Sequence, residues 1–190
     1  MAQTQPEVGV PGTLLTILTA EQIQRRVTDL ARQINADYAG TTLYAVGVLE
    51  DGFIFMADLV RQLQLPVICQ FVKPDTQEIH RGDADTTQIF FSPEVNVKGG
   101  DVLLIQGLIQ TGVTTEFLSR NLLARGANSV KVCTLLDRQA GRRVMLQPDY
   151  FGFLVDNKFV FGYGLGSTNL GRNLPYLATT KEAAAHNGSK

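Results

Sequence analysis

Short apolar runs alternate with segments of helical periodicity over most of this chain. Apolar runs of strand length occupy residues 43–49, 67–72, 102–105 and 130–136. Between them, apolar residues recur at helical spacing, as in the segments 19–34, 53–63 and 114–125. Continuous apolar strands are typical of sheets buried on both faces, and such strands are joined by helices. The order therefore predicts an α/β fold with a mostly parallel sheet.

Local signals define several boundaries. Thr19 with Gln22 three residues later predicts a capping box at the start of a helix. Gly126 suits the position just after the helix 114–125. Residues 150–155 and 159–163 are predicted to form a closing pair of strands joined by 156–158. The segment 73–96 is polar and poorly periodic, which is typical of a functional lid or excursion.

Length and charge restrict the class of protein. A chain of 190 residues is most simply one domain, here 13–178, with a flexible N-terminus at 1–12 and a disordered tail at 179–190. A net charge of −1 argues against a dedicated nucleic-acid binder. No apolar run approaches the roughly 18 residues of a membrane span, and no signal peptide is visible, so we expect a cytoplasmic protein.

The cysteines are expected to be structural. Cys69 and Cys133 each lie inside an apolar run, which predicts two buried free thiols. Two cysteines and two histidines without zinc spacing indicate no zinc site.

An apolar run leads into a turn rich in threonine and glycine, and a helical segment follows. The turn contains Gln110, Thr111, Gly112, Val113, Thr114 and Thr115. This order presents backbone N–H groups to a phosphate. An ordinary strand-to-helix turn with Thr114 as N-cap is the alternative. Because ligands of parallel α/β folds bind at the carboxyl ends of the strands, the loops 50–52, 106–115 and 137–143 are the candidate site.

Five sequence blocks carry a resemblance to the hypoxanthine-guanine phosphoribosyltransferases over about residues 15–178. They are 46–49 with 53–59, 133–137, 149–153, 159–165 and 172–176. The resemblance implies the type I phosphoribosyltransferase fold, a central mostly parallel sheet flanked by helices with a small hood from the N- and C-terminal segments. It also implies transfer of ribose 5-phosphate from phosphoribosyl diphosphate to hypoxanthine or guanine, with Mg²⁺, and a homodimer or homotetramer.

The sequence departs from this family at the reactive positions. The adjacent Glu and Asp beneath the ribose are Gln106 and Gly107 here, and Gly166 replaces an Asp that helps to hold a second Mg²⁺. The Asp that exchanges a proton with the purine is Gln110, whose amide cannot do so. The lid carries Thr76-Gln77 in place of Ser-Tyr.

The diphosphate loop has acids where the family has a basic residue and glycine. Glu50 and Asp51 precede Gly52, and two acids would repel a diphosphate. We favour an acidic turn capping the next helix, since carboxylates suit a helix N-terminus, over a relocated metal site.

Several binding positions are retained. Thr111, Gly112 and Thr114 match the 5′-phosphate loop, and Arg172 matches an Arg that contacts diphosphate. The resemblance further implies purine contacts from Arg138, Phe159 and Val160. Taken alone, Phe159 is more typical of a core and the two arginines of a solvated surface. Asp137 is interpreted as a hydrogen-bond acceptor at a strand end.

Three functions remain open from the sequence. The first is a phosphoribosyltransferase-like protein that retains a purine nucleotide or phosphate site but has lost or weakened transferase activity. The second is an active enzyme with substitute carboxylates from Glu50, Asp51 or Asp137, which would use Mg²⁺. The third is a regulatory subunit of an active paralogue.

Overall fold

The structure is a computed structural model that describes residues 13–81, 84–90, 95–156, 159–166 and 171–181. Within the hairpin at 75–90 it describes the backbone of the two strands. Three helices and nine strands are assigned within these residues: β1 Leu14–Leu18, α1 Ala20–Asp37, β2 Leu43–Val48, α2 Phe53–Val60, β3 Val67–Val72, β4 Asp75–Arg81, β5 Ala84–Phe90, β6 Asp101–Ile109, α3 Val113–Ala124, β7 Ser129–Asp137, β8 Tyr150–Leu154 and β9 Leu177–Thr180.

The central sheet has five strands in the order β3-β2-β6-β7-β8, and every neighbouring pair is parallel. Val102 to Ile105 of β6 are fully buried, as the continuous apolar runs predict. Because the strands are parallel, the loops that follow β2, β6 and β7 leave from the same edge of the sheet. The predicted parallel α/β architecture is confirmed.

Helix α1 covers one side of the sheet through a buried stripe. The predicted capping box is present: Gln22 N–H donates to Thr19 Oγ1, and Thr19 N–H donates to Gln22 Oε1 at 2.8 Å. Ile23, Val27 and Ile34 are buried at helical spacing. The helix therefore begins where the sequence predicts and packs by its apolar face.

A second, two-stranded sheet joins the N- and C-terminal segments into a hood. β1 pairs antiparallel with β9, and Phe161 forms an isolated antiparallel bridge to Ala178. The predicted strand pair of 150–155 with 159–163 is wrong, because β8 pairs in parallel with β7 and the segment around Phe161 turns to the hood. The predicted tail also starts too early, since Thr179 and Thr180 lie in β9. Residues 1–12 and 182–190, predicted to be flexible, lie outside the described part.

The segment 73–96 contains an antiparallel hairpin of β4 and β5 rather than an irregular loop. Thr76 lies opposite Ile89, and Gln77 lies opposite Gln88. The hairpin pairs with neither of the other two sheets. Its predicted role as a lid stays a prediction.

One of the two cysteine predictions is wrong. Both thiols are free, but Cys69 is exposed whereas Cys133 is fully buried. Cys69 lies in β3, the edge strand of the central sheet, and three of the six residues of β3 are exposed. Cys133 lies in β7, which has a strand on each side. An apolar run at a sheet edge is thus less buried than the same run in the interior.

Candidate nucleotide-binding site

A cavity opens at the carboxyl ends of β2 and β6. Its volume is about 230 Å³, and both Asp51 and the turn that precedes α3 line it. The lining residues are Val48, Leu49, Asp51, Pro74, Gln106, Gly107, Leu108, Ile109, Gln110, Thr111, Gly112, Thr114 and Thr115. Eight of the residues that were predicted from the sequence therefore meet around one cavity.

The turn before α3 is shaped by a glycine. Gly112 adopts a φ of +80°, which favours glycine, and α3 begins at the next residue, Val113. Gly112 is thus the N-cap, so the reading of Thr114 as N-cap is wrong. The N–H of Val113 donates to Thr111 Oγ1 at 3.4 Å. The following N–H groups start the helix and have no partner one turn earlier within it, which makes this end attractive to an anion.

Gln106 lies inside β6 and not in the loop after it. The strand continues to Ile109, so the predicted loop 106–115 begins only at Gln110. The Gln106 side chain is buried, and its Oε1 accepts a hydrogen bond from the Thr115 hydroxyl at 2.6 Å. The Thr115 hydroxyl is therefore engaged within the protein.

Gly107 lies directly beneath the loop after β2. A Cβ at this position would overlap the carbonyl oxygen of Asp51 and come within 2.9 Å of Leu165 Cδ2. At Gly52 a Cβ would come within 2.9 Å of Val48 O and 3.2 Å of Ile105 O. The loop 50–52 thus packs against β6 at a distance that only glycines permit on both sides.

The acids of this loop form ion pairs. Arg172 Nη1 donates to Asp51 Oδ1 at 3.0 Å and lies near Glu50 through Nη2, 3.6 Å from Oε2. Lys73 Nζ lies 2.9 Å from Glu50 Oε1. The expected capping of α2 by these acids is wrong, since the N-cap is Gly52 and no acid lies in the first turn. Both carboxylates instead face cations from other elements.

The pKa values of the two carboxyl groups are shifted in opposite directions. The hydrogen bond and charge of Lys73 lower the pKa of Glu50 below its ordinary value. Burial raises the pKa of Asp51, and this effect exceeds the attraction of Arg172. Arg172 is held independently by the carbonyl oxygens of Gly164 and Gly166, each at 2.8 Å. The loop and the hood are therefore joined at Arg172.

The residues expected to contact a purine lie elsewhere around this edge of the sheet. Arg138 follows β7 and is buried, and its N–H donates to Ile109 O at 2.9 Å. Phe159 is half-buried, and its ring centroid lies 5.7 Å from that of Phe161 in the hood. Val160 packs against the main core. Among the described residues, none of these three lines the 230 Å³ cavity.

Arg142 is the site residue that the sequence did not single out. Its guanidinium pairs with Asp137, and its Nε and Nη1 donate to Gln110 O at 3.1 Å and Leu146 O at 2.6 Å. It thereby ties the loop after β7 to the turn before α3, and it lines a second cavity of about 390 Å³ beside that turn. Asp137 is buried at the end of its strand as a hydrogen-bond acceptor, as interpreted from the sequence. The sequence signal that could have identified Arg142 is its position five residues after Asp137, the acid at the end of β7.

The positions expected to hold Mg²⁺ do not fit that ion. Mg²⁺ prefers carboxylate and phosphate oxygens, and Gln106, Gly107 and Gly166 carry no carboxylate. Among the residues whose side chains are described, no three His, Cys, Asp or Glu residues are grouped as metal ligands. Within the same part of the chain, every helix is too short or too polar to cross a bilayer.

Comparisons with known proteins identify the family of the chain. The family model "Phosphoribosyl transferase domain" matches residues 14–168. The hypoxanthine-guanine phosphoribosyltransferase of Bacillus subtilis is 32% identical over 167 residues, which cover 88% of this chain and 93% of that protein. The bifunctional protein TilS/HprT of Listeria innocua is 35% identical over 167 residues, and the chain spans only 26% of its length.

A solved structure shows the same fold. The crystal structure of a hypoxanthine-guanine phosphoribosyltransferase from Bacillus anthracis superposes with a TM-score of 0.80 at 30% identity, covering 90% of this chain and 99% of that one. Fold, family model and full-length relatives therefore agree. The chain belongs to the hypoxanthine-guanine phosphoribosyltransferase family and has the type I phosphoribosyltransferase fold.

Proposed function

We propose that the chain binds a purine nucleoside 5′-monophosphate with its phosphate at the turn 110–115, and that it transfers ribose 5-phosphate slowly or not at all. The relatives of Bacillus subtilis and Staphylococcus aureus are named for hypoxanthine and guanine, which supports a purine as the base. The observation that carries the proposal of slow or absent transfer is the buried hydrogen bond from the Thr115 hydroxyl to Gln106 Oε1.

The turn supports binding of a phosphate. Gly112 lets the chain turn directly into α3, and the hydroxyl-bearing Thr111 and Thr114 line the cavity together with it. A helix N-terminus attracts negative charge because its N–H groups are unsatisfied and its dipole is positive there. No metal is needed for this contact, so binding is expected without Mg²⁺.

The residues at the positions expected beneath the ribose support a slow or absent transfer of ribose 5-phosphate. Gln106 uses its amide oxygen to hold Thr115, and Gly107 is covered by the backbone of Asp51. Asp137, a candidate substitute carboxylate, is buried and paired with Arg142. Because metal ions supply several kcal/mol of charge stabilisation in such reactions, we expect turnover on the order of 10³-fold or more below that of a relative with carboxylates.

Calorimetric titration with inosine and guanosine monophosphate tests the binding. We expect saturable binding in the absence of Mg²⁺ and a loss of about tenfold or more in Thr111→Val, which removes a hydroxyl from the turn. Thr28→Val is the matched control, because Thr28 lies on the exposed face of α1 and donates to Gln24 O. No binding by the wild type, or equal binding by both variants, would overturn this half of the proposal.

Release of diphosphate from phosphoribosyl diphosphate tests the chemistry. Hypoxanthine and guanine serve as acceptors with Mg²⁺ present, and the Bacillus subtilis relative is the positive control. Turnover comparable to that relative would establish the alternative, an active enzyme with substitute carboxylates. Activity that appears only with an added active paralogue would indicate a regulatory subunit instead.

A second copy of the chain is the proposed partner, as a homodimer or homotetramer. Three large apolar side chains in α2 and the edge strand β3 support this, since Phe53, Ile68 and Phe71 are exposed by 44%, 41% and 48%. Light scattering after size exclusion should give two or four chains per particle. A monomer at micromolar concentration would contradict it.

A further inference from the structure

Tyr163 has an unusual backbone conformation. Its φ is +48°, and among the described residues it is the only one other than glycine with a positive φ. This left-handed conformation costs free energy in a residue with a side chain, so it persists only where the surrounding contacts enforce it. Residues of this kind are concentrated at functional sites. The contacts around Tyr163 show which part of the molecule the conformation fixes.

The side chain of Tyr163 is anchored to α2. It is buried, and its hydroxyl donates to Asp58 Oδ2 at 2.5 Å. Gln24 Nε2 of α1 donates to the same oxygen at 3.0 Å, and Arg61 pairs with Oδ1. The Tyr163 N–H donates to Leu174 O at 2.8 Å. The residue is therefore fixed both at its hydroxyl and at its backbone.

The residues after Tyr163 pack against the loop 50–52. We call residues 162–166 the Tyr163 segment. A Cβ at Gly164 would lie 3.1 Å from Asp51 O, so the backbones of the segment and the loop are in close contact. Helix α2, which carries the anchor, begins directly after the same loop. The loop therefore leads into α2 and packs against a segment that is anchored to α2.

The loop and its neighbour in β6 form part of the cavity lining. Asp51 and Gly107 both line the 230 Å³ cavity. A Cβ at Gly107 would lie 2.9 Å from Leu165 Cδ2, so the Tyr163 segment also packs against β6 at this point. The turn 110–115 is held by a different contact, from Arg142 in the loop after β7. The Tyr163 segment thus supports one part of the lining and Arg142 supports another.

We propose that Tyr163 is a positioning residue that fixes the loop 50–52 at the cavity through its contact with Asp58, and so raises the affinity for the nucleoside part of a bound nucleotide. The proposal deepens the function proposed above and rests on it for the identity of the ligand. A fixed loop raises affinity because it does not have to be ordered when the ligand binds. The phosphate is held at the turn 110–115 and depends little on Tyr163.

Three substitutions remove or retain the contact. Tyr163→Phe keeps the aromatic ring and removes the donor, whereas Asp58→Ala removes the acceptor. Asp58→Asn retains an oxygen that accepts the hydrogen bond. Tyr176→Phe is the matched control, because the Tyr176 hydroxyl also lies in the hood but is buried without a hydrogen-bond partner among the described residues.

Hydrogen–deuterium exchange tests the position of the loop without any ligand. The Gly52 N–H donates to the end of β2 at 3.1 Å, so it exchanges only when the loop opens. We expect Tyr163→Phe and Asp58→Ala to speed this exchange tenfold or more and to leave the Glu116 N–H of α3 unchanged. Asp58→Asn and Tyr176→Phe should change both rates by less than threefold. An unchanged Gly52 rate in Tyr163→Phe and Asp58→Ala overturns the inference.

Equilibrium dialysis with radiolabelled inosine monophosphate and inorganic phosphate, without Mg²⁺, tests the effect on binding. Tyr163→Phe and Asp58→Ala should each lose tenfold or more in affinity for the nucleotide and less than threefold for phosphate. The double variant should lose no more than either single variant, since both remove one contact. An unchanged affinity for the nucleotide, or an equal loss for both ligands, overturns the positioning role.

The two proposals fail separately. If the wild type does not bind the nucleotide but the loop exchanges faster in Tyr163→Phe, the nucleotide site is wrong and the positioning of the loop stands. If the wild type binds and loop exchange is unchanged, the nucleotide site stands and the role of Tyr163 is wrong. Should Tyr163→Phe fail to fold, the difference between Asp58→Ala and Asp58→Asn decides by the same criteria.

Discussion

Arg142 pairs with the buried carboxylate of Asp137 and, through the same guanidinium, holds the backbone oxygen of Gln110. One side chain thus joins the end of β7 to the turn before α3. The packing is close, since a Cβ at Gly112 would lie 2.8 Å from Val144 Cγ2 and 3.0 Å from Arg142 Cδ. The conformation of the candidate phosphate turn therefore depends on the loop after β7.

Replacing Arg142 should destabilise the protein. In Arg142→Ala the buried Asp137 loses its charge partner, and breaking a buried pair costs about 3–5 kcal/mol. We expect the free energy of unfolding to fall by about 3 kcal/mol in urea titrations. The control Arg143→Ala, at an exposed neighbour, should change it by less than about 0.5 kcal/mol. Equal small effects of both variants would show that the pair contributes little.

Adding a methyl group at Gly107 should also be costly. Alanine commonly stabilises a strand relative to glycine, but here its Cβ would overlap the backbone oxygen of Asp51. We expect Gly107→Ala to lose about 1–3 kcal/mol of unfolding free energy. Gly47→Ala is the comparison, because its added Cβ meets the flexible Met56 side chain. A smaller loss at Gly107 than at Gly47 would contradict the close packing of loop and strand.

Glu50 and Asp51, the two carboxylates of the loop 50–52, should change the free energy of unfolding with opposite sign. The pKa of Glu50 is lowered, so its stabilising contribution is present above its ordinary value of 4.5 and is lost as pH falls through its native pKa. The pKa of Asp51 is raised, so protonation favours the folded state, and this benefit is lost as pH rises from 3.8 through its native pKa.

Urea unfolding at about pH 7 and about pH 3 separates the two acids. At the higher pH, Glu50→Gln should lower the free energy of unfolding and Asp51→Asn should raise it. Both differences should become smaller at the lower pH, as the wild-type carboxyls take up protons. A destabilised Asp51→Asn at neutral pH would mean that the attraction of Arg172 exceeds the effect of burial.

The sequence predicts the parts of this fold that local pattern and strand order determine. The capping box at Thr19 and the buried run in β6 follow from residue types a few positions apart. The alternation of apolar runs with helices is enough for a parallel sheet, because parallel neighbours require crossover connections. The loops after β2 and β6 then meet as a geometric consequence.

The predictions from sequence are wrong where contacts between residues that are distant in the chain determine the structure. Cys69 has an apolar neighbourhood like that of Cys133, but only the strand order reveals that β3 is an edge. Phe161 pairs with Ala178, which is remote in sequence. The acids Glu50 and Asp51 meet Lys73 and Arg172 instead of the helix that follows them. Such long-range ion pairs leave no periodic signal in the chain.

The hood is fixed to α2 by Tyr163. Its hydroxyl donates to Asp58 Oδ2 at 2.5 Å, and burial raises the pKa of this tyrosine above its ordinary value. We expect Tyr163→Phe to lose about 1.5–3 kcal/mol of unfolding free energy, because a hydrogen bond to a charged group is removed. Tyr176→Phe is the control, since the Tyr176 hydroxyl is buried without a hydrogen-bond partner among the described residues, and it should be neutral or stabilising. Equal losses in both variants would contradict the assigned contact.

The two cysteines should react at very different rates. Cys69 is exposed on the edge strand, whereas Cys133 is fully buried and its pKa is raised by that burial, so its thiolate is scarce. An aromatic disulfide reagent at about pH 8 should modify one thiol per native chain rapidly and the second only on unfolding. Cys69→Ser should abolish the rapid phase, and Cys133→Ser should leave its rate unchanged. Two rapid thiols in the native protein would show that β7 opens to solvent, because the Cys133 sulfur cannot otherwise reach the reagent.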